Sequence, residues 1–238
     1  MSDQQQAPDL VRVRRRLLTG VVVVAALAPL LLAAAQWPRY WIWIASEQTP
    51  MTWLQSVVLV LASAGALLLA VLLRLRGDAA PRRRPWQVLA IGFAALAVDE
   101  RFALHERIRD GVLAPRGVRV PFLPWVAPGD FLVMAIAVTG LAVVPLVLRG
   151  LNGDRTARGL FLLGVGLAVV AVATDSIDPE TWSVGAERLQ QSLEEVVELA
   201  AGLCLLTAVV LRLLSAVSDE ALLDVSTPSA ADRGAGAH

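Results

Sequence analysis

The chain has 238 residues, 56% of them hydrophobic, a mean hydropathy of +0.62, and 21 arginines that cancel 21 acids. A soluble domain of this length has no use for so much apolar sequence in long unbroken runs, so the composition points to a polytopic membrane protein. With no net positive charge no nucleic-acid partner is expected, and the single cysteine, Cys204, excludes an internal disulfide or a cysteine-rich metal site.

Six stretches reach the roughly 20 residues that a membrane-crossing helix needs at about 1.5 Å per residue. They are 17–36, 51–73, 86–106, 130–148, 157–175 and 191–214. The expected architecture is all-α: a basic N-terminus over 1–16, a bundle of six transmembrane helices over 17–214, and an unstructured tail over 215–238. Arginine placement orients it. The N-terminus, the 74–84 and 149–158 loops and the tail, counted with Arg212 at the inner end of the sixth stretch, hold fourteen arginines and eight acids, whereas the opposite side holds seven arginines and thirteen acids. The positive-inside rule then predicts cytoplasmic termini and a multi-pass protein of a bacterial inner membrane, with the lipid bilayer as its partner. Arg101, Arg107, Arg109, Arg116 and Arg119 run against the rule by falling on the outer side.

Arg14, Arg15 and Arg16, the apolar run after them and Ala33-Ala34-Ala35 resemble a signal peptide, but the run exceeds the usual length, so an uncleaved first span is expected. Trp37, Trp41, Trp43, Trp53, Trp125 and Trp182 fall near the outer boundary, as an aromatic belt does. Segment 110–129 carries Pro115, Pro121, Pro124 and Pro128, which block a regular helix and predict a segment on the outer surface. Asp130 is expected to cap the fourth helix and Asp178-Pro179-Glu180 to make a turn. Gly159, Gly164 and Gly166 are expected to let helices approach closely.

Carboxylates recur at one level. In the third stretch only 86–98 is free of charge, thirteen residues. That is about 20 Å of helix against a hydrocarbon core of about 30 Å, so the helix must run on through Asp99 and Glu100 toward His105 before reaching water. In the sixth stretch 199–211 is equally short, which draws Glu198, Glu195 and Glu194 inward. The fifth ends at Asp175. Ionisable groups at membrane depth line a cavity, pair, or hold an ion, so these acids and His105 form the candidate site. At about 100° per residue, Asp99 and Glu106 share a face, Glu100 and His105 diverge to opposite flanks, and Gln191, Glu194, Glu195 and Glu198 fit one arc.

Carboxylates with one neutral imidazole suit a divalent metal such as Mn, Fe or Zn, and facing helices that supply Glu and His build di-metal centres. The expected ligand set is Asp99, Glu100, His105, Glu106, Asp175, Glu194, Glu195 and Glu198, with His105 and Glu106 placed for catalysis. The paired Glu-x-x-His elements of di-metal bundles are absent, and only one histidine is available. An enzyme built this way acts on a lipid-like or envelope substrate, through water activated by the metal or through redox chemistry. Two other readings stay open. Arg101, Arg107, Arg109 and Arg188 can pair with the same acids as interhelical salt bridges, which describes a structural or accessory protein. A proton- or cation-coupled transporter can also use such acids, although none lies in the inner half of any span.

The combination D-E-x-x-x-x-H-E at 99–106, W-x-x-P-G at 125–129, an acid closing the fifth stretch at Asp175, and E-E-x-x-E at 194–198 followed by Gly202 resembles an uncharacterised group of bacterial multi-pass membrane proteins. The resemblance covers 86–214. It departs at Ala97-Val98 before Asp99, and at Asp175, where the group tends to carry Glu. The group has no named activity, so the resemblance implies where the site lies and supplies no reaction.

Overall fold

A computed structural model of the chain describes residues 3–46, 48–121, 126, 129, 131–175 and 182–226. Among them are seven α-helices: α1 (Asp3–Ala35), α2 (Pro50–Leu75), α3 (Ala80–Phe102), α4 (Leu104–Ile108), α5 (Phe131–Gly150), α6 (Arg155–Asp175) and α7 (Val184–Ser226). Short helical turns at Tyr40–Trp43, Arg109–Leu113 and Ala114–Arg116 complete the set, with no strand among the described residues. Trp125, Asp130 and the turn expected at Asp178-Pro179-Glu180 lie outside the described residues.

Five helices, α1, α2, α5, α6 and α7, are long and apolar enough to cross a membrane. The third stretch, expected to be another span, folds as a helix of 23 residues with Arg82, Arg83 and Arg84 near its start and Asp99, Glu100 and Arg101 at its end. Those flanking charges keep it out of the apolar group. Even so, α3 packs along α2, one of the two most extensive pairings, the other being α6 with α7. Since α7 also packs on α2, and α5 bridges α3 and α6, these five helices close a ring with α1 outside against α7. Large apolar side chains point away from the ring: Leu31 is 66% exposed, Val138 65% and Leu75 80%. Water does not tolerate an apolar surface this extensive, whereas hydrocarbon does.

Small residues set how close the helices come. At Gly164 a Cβ would sit 2.8 Å from Leu205 Cγ and 3.0 Å from the Ala201 carbonyl oxygen, so α6 and α7 meet there almost backbone to backbone. Gly159 and Gly166 face open space. They sit on other faces of α6, so of the three glycines expected to aid packing only Gly164 touches a neighbouring helix. Gly202 of α7 similarly approaches Val58 of α2, with 3.2 Å to a Cβ placed there.

Helix ends depart from the sequence boundaries where helix formers continue past the apolar run. α1 begins at Asp3, well before residue 17, and α7 runs to Ser226, past residue 214. Glu220-Ala221-Leu222-Leu223 are strong helix formers, which accounts for the extension into the expected tail; residues 227–238 lie outside the described residues. In segment 110–129 the chain stays helical through Arg116, with Pro115 inside the last helical turn, and leaves the helix at Gly117; Pro124 and Pro128 lie outside the described residues.

Asp154 holds the arginine-rich end together. Lying in the turn between α5 and α6, it accepts the Ala157 N–H at 3.0 Å, capping α6, accepts the Ser215 hydroxyl at 3.0 Å, and pairs with Arg14. Burial works against its ionisation, but the Ala157 amide, the Ser215 hydroxyl and the Arg14 guanidinium outweigh it and hold the carboxyl below the usual range. Sequence reasoning passed over Asp154. The signal was present: Asn152-Gly153-Asp154 ahead of a periodic run marks a turn followed by an N-cap.

Candidate functional site

At the opposite end, α2 packs on both α3 and α7. Gln55, buried on α2, donates from Nε2 to the Glu195 carbonyl oxygen at 3.0 Å and fixes α7 at this level. Glu100 from the last turn of α3 and Glu195 and Glu198 from α7 then bring carboxylate oxygens within 4.8 Å of one another. Glu195 is buried, and Glu100 and Glu198 are half-buried. Glu195 and Glu198, three residues apart, share one face of α7. Like charges this close repel by roughly 3 to 4 kcal/mol per pair at an effective dielectric near 20. A cation among the oxygens, or protons on some of them, relieves that repulsion.

Beside the trio the chain does something that a regular helix cannot. It breaks at Ala103, which adopts a left-handed conformation with φ 47° and ψ 49°, and α4 starts in a new direction. One oxygen of Asp99 accepts the His105 backbone N–H at 2.8 Å while the other lies 2.7 Å from His105 Nδ1. A single acid therefore caps α4 and orients the imidazole. Because an ionised carboxylate only accepts, Nδ1 carries the proton, and in the neutral ring Nε2 presents its lone pair. Glu106 and Asp175 lie near enough to act on the ring through space.

The remaining acids have local partners. Arg109 reaches Glu106 at 3.3 Å and Asp110 at 2.8 Å. The Arg109 guanidinium holds the exposed Asp110 carboxyl below its ordinary range. Gly129, at φ +94°, presses on Arg109: a Cβ there would lie 2.7 Å from Arg109 Cγ, so the returning chain needs glycine. Glu194 accepts from Gln190 Nε2 at 2.8 Å, and Gln190 also reaches the Thr174 carbonyl oxygen at 3.3 Å near the end of α6. Both line a cavity of about 160 Å³ with Val170, Thr174, Leu193 and Val197. The Arg188 guanidinium stacks over Trp41 at 4.1 Å, and Arg101 and Arg107 are exposed.

The eight expected ligands thus divide. Glu100, Glu195 and Glu198 meet; Asp99, His105 and Glu106 form a neighbouring group within reach of Asp175; Glu194 turns toward α6. Gln55 and Gln190, which tie the helices at this level, were not singled out from sequence, although an amide inside or beside an apolar run is itself a signal.

A family model described as "Domain of unknown function (DUF8692)" matches residues 15–213. Among curated proteins and among solved structures nothing matches. The matched region runs from within α1 to within α7 and takes in α2, α3, α5, α6 and every member of the acidic group. The chain belongs to the uncharacterised DUF8692 family.

Proposed function

We propose that this is a multi-pass protein of a bacterial inner membrane, with six spans and cytoplasmic termini, that holds a divalent cation at Glu100, Glu195 and Glu198 just beneath the outer face. The observation that carries the reading is the approach of three carboxylates from two helices to within 4.8 Å. α3 counts as the sixth span because 23 residues reach about 34 Å and pack along α2. The arginine distribution supplies the orientation. α1 stays with the bundle in this reading: Arg14 is tied to Asp154, and Leu32 and Ala33 pack on the cluster around Met51 and Leu199.

Oxygens this close stand within a few tenths of an ångström of the 2.1–2.6 Å bonds, roughly, that hard cations make. An all-carboxylate donor set favours a hard ion, hence Mn over Fe or Zn. Such an ion supplies Lewis acidity and lowers the pKa of water. The chain's own part is to set three acids at one point and to hold His105, through Asp99, as a proton acceptor at the same end of the bundle. A lipid or envelope substrate is the class that this position would serve. A structural role is favoured for Glu106, because Arg109 pairs with it three residues along the same turn.

Elemental analysis of the full chain in detergent, stripped with chelator and reloaded with Mn²⁺, tests the proposal. About one ion per chain is expected, with affinity at least about tenfold weaker in Glu100→Gln and Glu198→Gln, a change of about 1.4 kcal/mol. Melting curves confirm that both variants fold. Unchanged metal content in both removes the reading.

A further inference from the structure

The arginine-rich end contains a cavity of about 760 Å³ between the α2–α3 connection, the α5–α6 turn and α7. Arg76, Arg82, Arg84, Arg149 and Arg212 line it, and Asp78 is the one acid among its described lining residues. Topology alone accounts for arginines in loops on this side. It does not account for arginines from four separate segments (the end of α2, the start of α3, the end of α5 and α7) facing a single concavity.

Two of the five donate to backbone carbonyls. Arg212 Nε donates to the Gly150 carbonyl oxygen at 3.2 Å, and Arg76 donates to the Ala216 carbonyl oxygen. The bond to Gly150 orients the Arg212 guanidinium without cancelling its charge. Asp78 accepts from Arg82 at 2.8 Å. Trp86, 1% exposed, packs against Gly150, where a Cβ would stand 3.1 Å from the indole ring. The wall is therefore rigid where Arg212 is anchored. Arg84, Arg149 and Arg212 share this concavity and repel one another across it, and an anion offsets that repulsion.

We infer that this cavity binds a phosphate-bearing anion, and that its place at headgroup level assigns the anion to an anionic phospholipid. Guanidinium forks match phosphate oxygens in pairs, and basic pockets between membrane helices are a recurrent form of headgroup site. Leu73, Pro85 and Leu146 also line the cavity, and Leu75 beside it is largely exposed, so an acyl chain can leave the pocket over apolar surface. The inference stands apart from the metal site at the other end and survives its failure.

Native mass spectrometry of the full chain released from nanodiscs tests it, using phosphatidylglycerol, phosphatidylcholine, or phosphatidylcholine plus inorganic phosphate. The wild type is expected to retain phosphatidylglycerol over phosphatidylcholine. The double variant Arg84→Gln/Arg149→Gln, which alters two exposed side chains, is expected to lose that retention about tenfold. A control, Arg15→Gln/Arg16→Gln, removes the same charge from the same end outside the cavity and is expected to retain the lipid. Equal retention of both lipids, equal loss in the control, or uptake of inorganic phosphate with no lipid preference each overturns the assignment. Melting curves of both double variants exclude unfolding as the cause of any loss.

Discussion

At one end of the bundle three glutamates from α3 and α7 crowd within 4.8 Å, while at the other the buried acid, Asp154, is surrounded by three donors from α1, α6 and α7. Both ends place carboxylates where water is scarce, but at the Asp154 end one acid gathers donors from three helices, whereas at the other end three acids from two helices gather on one another. An acid kept for stability is matched with donors from every helix that it joins. Acids brought together against their own repulsion are the feature on which the proposed cation site rests.

The comparison breaks most completely if α6 and α7 are forced apart, because both ends hang on α7. Gly164→Leu introduces a side chain where even a Cβ meets the Ala201 carbonyl oxygen at 3.0 Å, and backbone cannot step aside. Overpacking of this kind costs about 1 to 3 kcal/mol or more, and Leu adds further carbons along the same line. The expected outcome is failure to recover folded protein from detergent extracts. Gly166→Leu, at a position open to its surroundings, should be recovered normally.

Much of this fold was legible in the sequence, and for a plain reason. Apolar run length sets where a membrane helix begins and ends, so the expected 51–73 and 157–175 lie within two residues of Pro50–Leu75 and Arg155–Asp175. The level of the acids followed from the same arithmetic. What the runs do not encode is rotation about each helix axis. Glu194 and Glu195 stand about 100° apart on α7. Which of them faces α3 depends on contacts made elsewhere, by Gly164, Gly202 and Gln55. The break at Ala103 was illegible for a different reason: Phe102-Ala103-Leu104 contains neither glycine nor proline, and the bonds from Asp99 that the break permits span six residues.

Removing the arginine end's own acid tests the other half of the contrast. Asp154→Ala strips the cap from α6 and leaves Arg14 and Ser215 without their shared acceptor, a loss expected near 2 kcal/mol, read by equilibrium unfolding in detergent. Asp154→Asn keeps an acceptor for the Ala157 amide and should lose less. The pH dependence has a definite sign. The folded carboxyl titrates below its unfolded value, so its contribution is full above about pH 4 and disappears as pH falls through the lower, folded value. The unfolding midpoint of the wild type should therefore fall below about pH 4 while that of Asp154→Ala changes less. Parallel curves would show that Asp154 carries none of this stability.

The smallest expected effect bears on why the acidic end carries two groups of side chains instead of one. Ala103 is buried at φ 47°, a conformation that costs an L-residue about 1 kcal/mol and that glycine adopts freely. Ala103→Gly should therefore stabilise the protein by about 0.5 kcal/mol, after the greater freedom that glycine gives the unfolded chain is set against the relieved strain. Ala103→Val, β-branched at the same dihedrals, should destabilise by about 1 to 2 kcal/mol and free His105 from Asp99. Because Glu100 precedes the break, Mn²⁺ affinity should stay unchanged in the glycine variant. If Ala103→Val instead weakens Mn²⁺ as much as Glu198→Gln does, the imidazole and the three carboxylates act as one centre, and the division between them is only apparent.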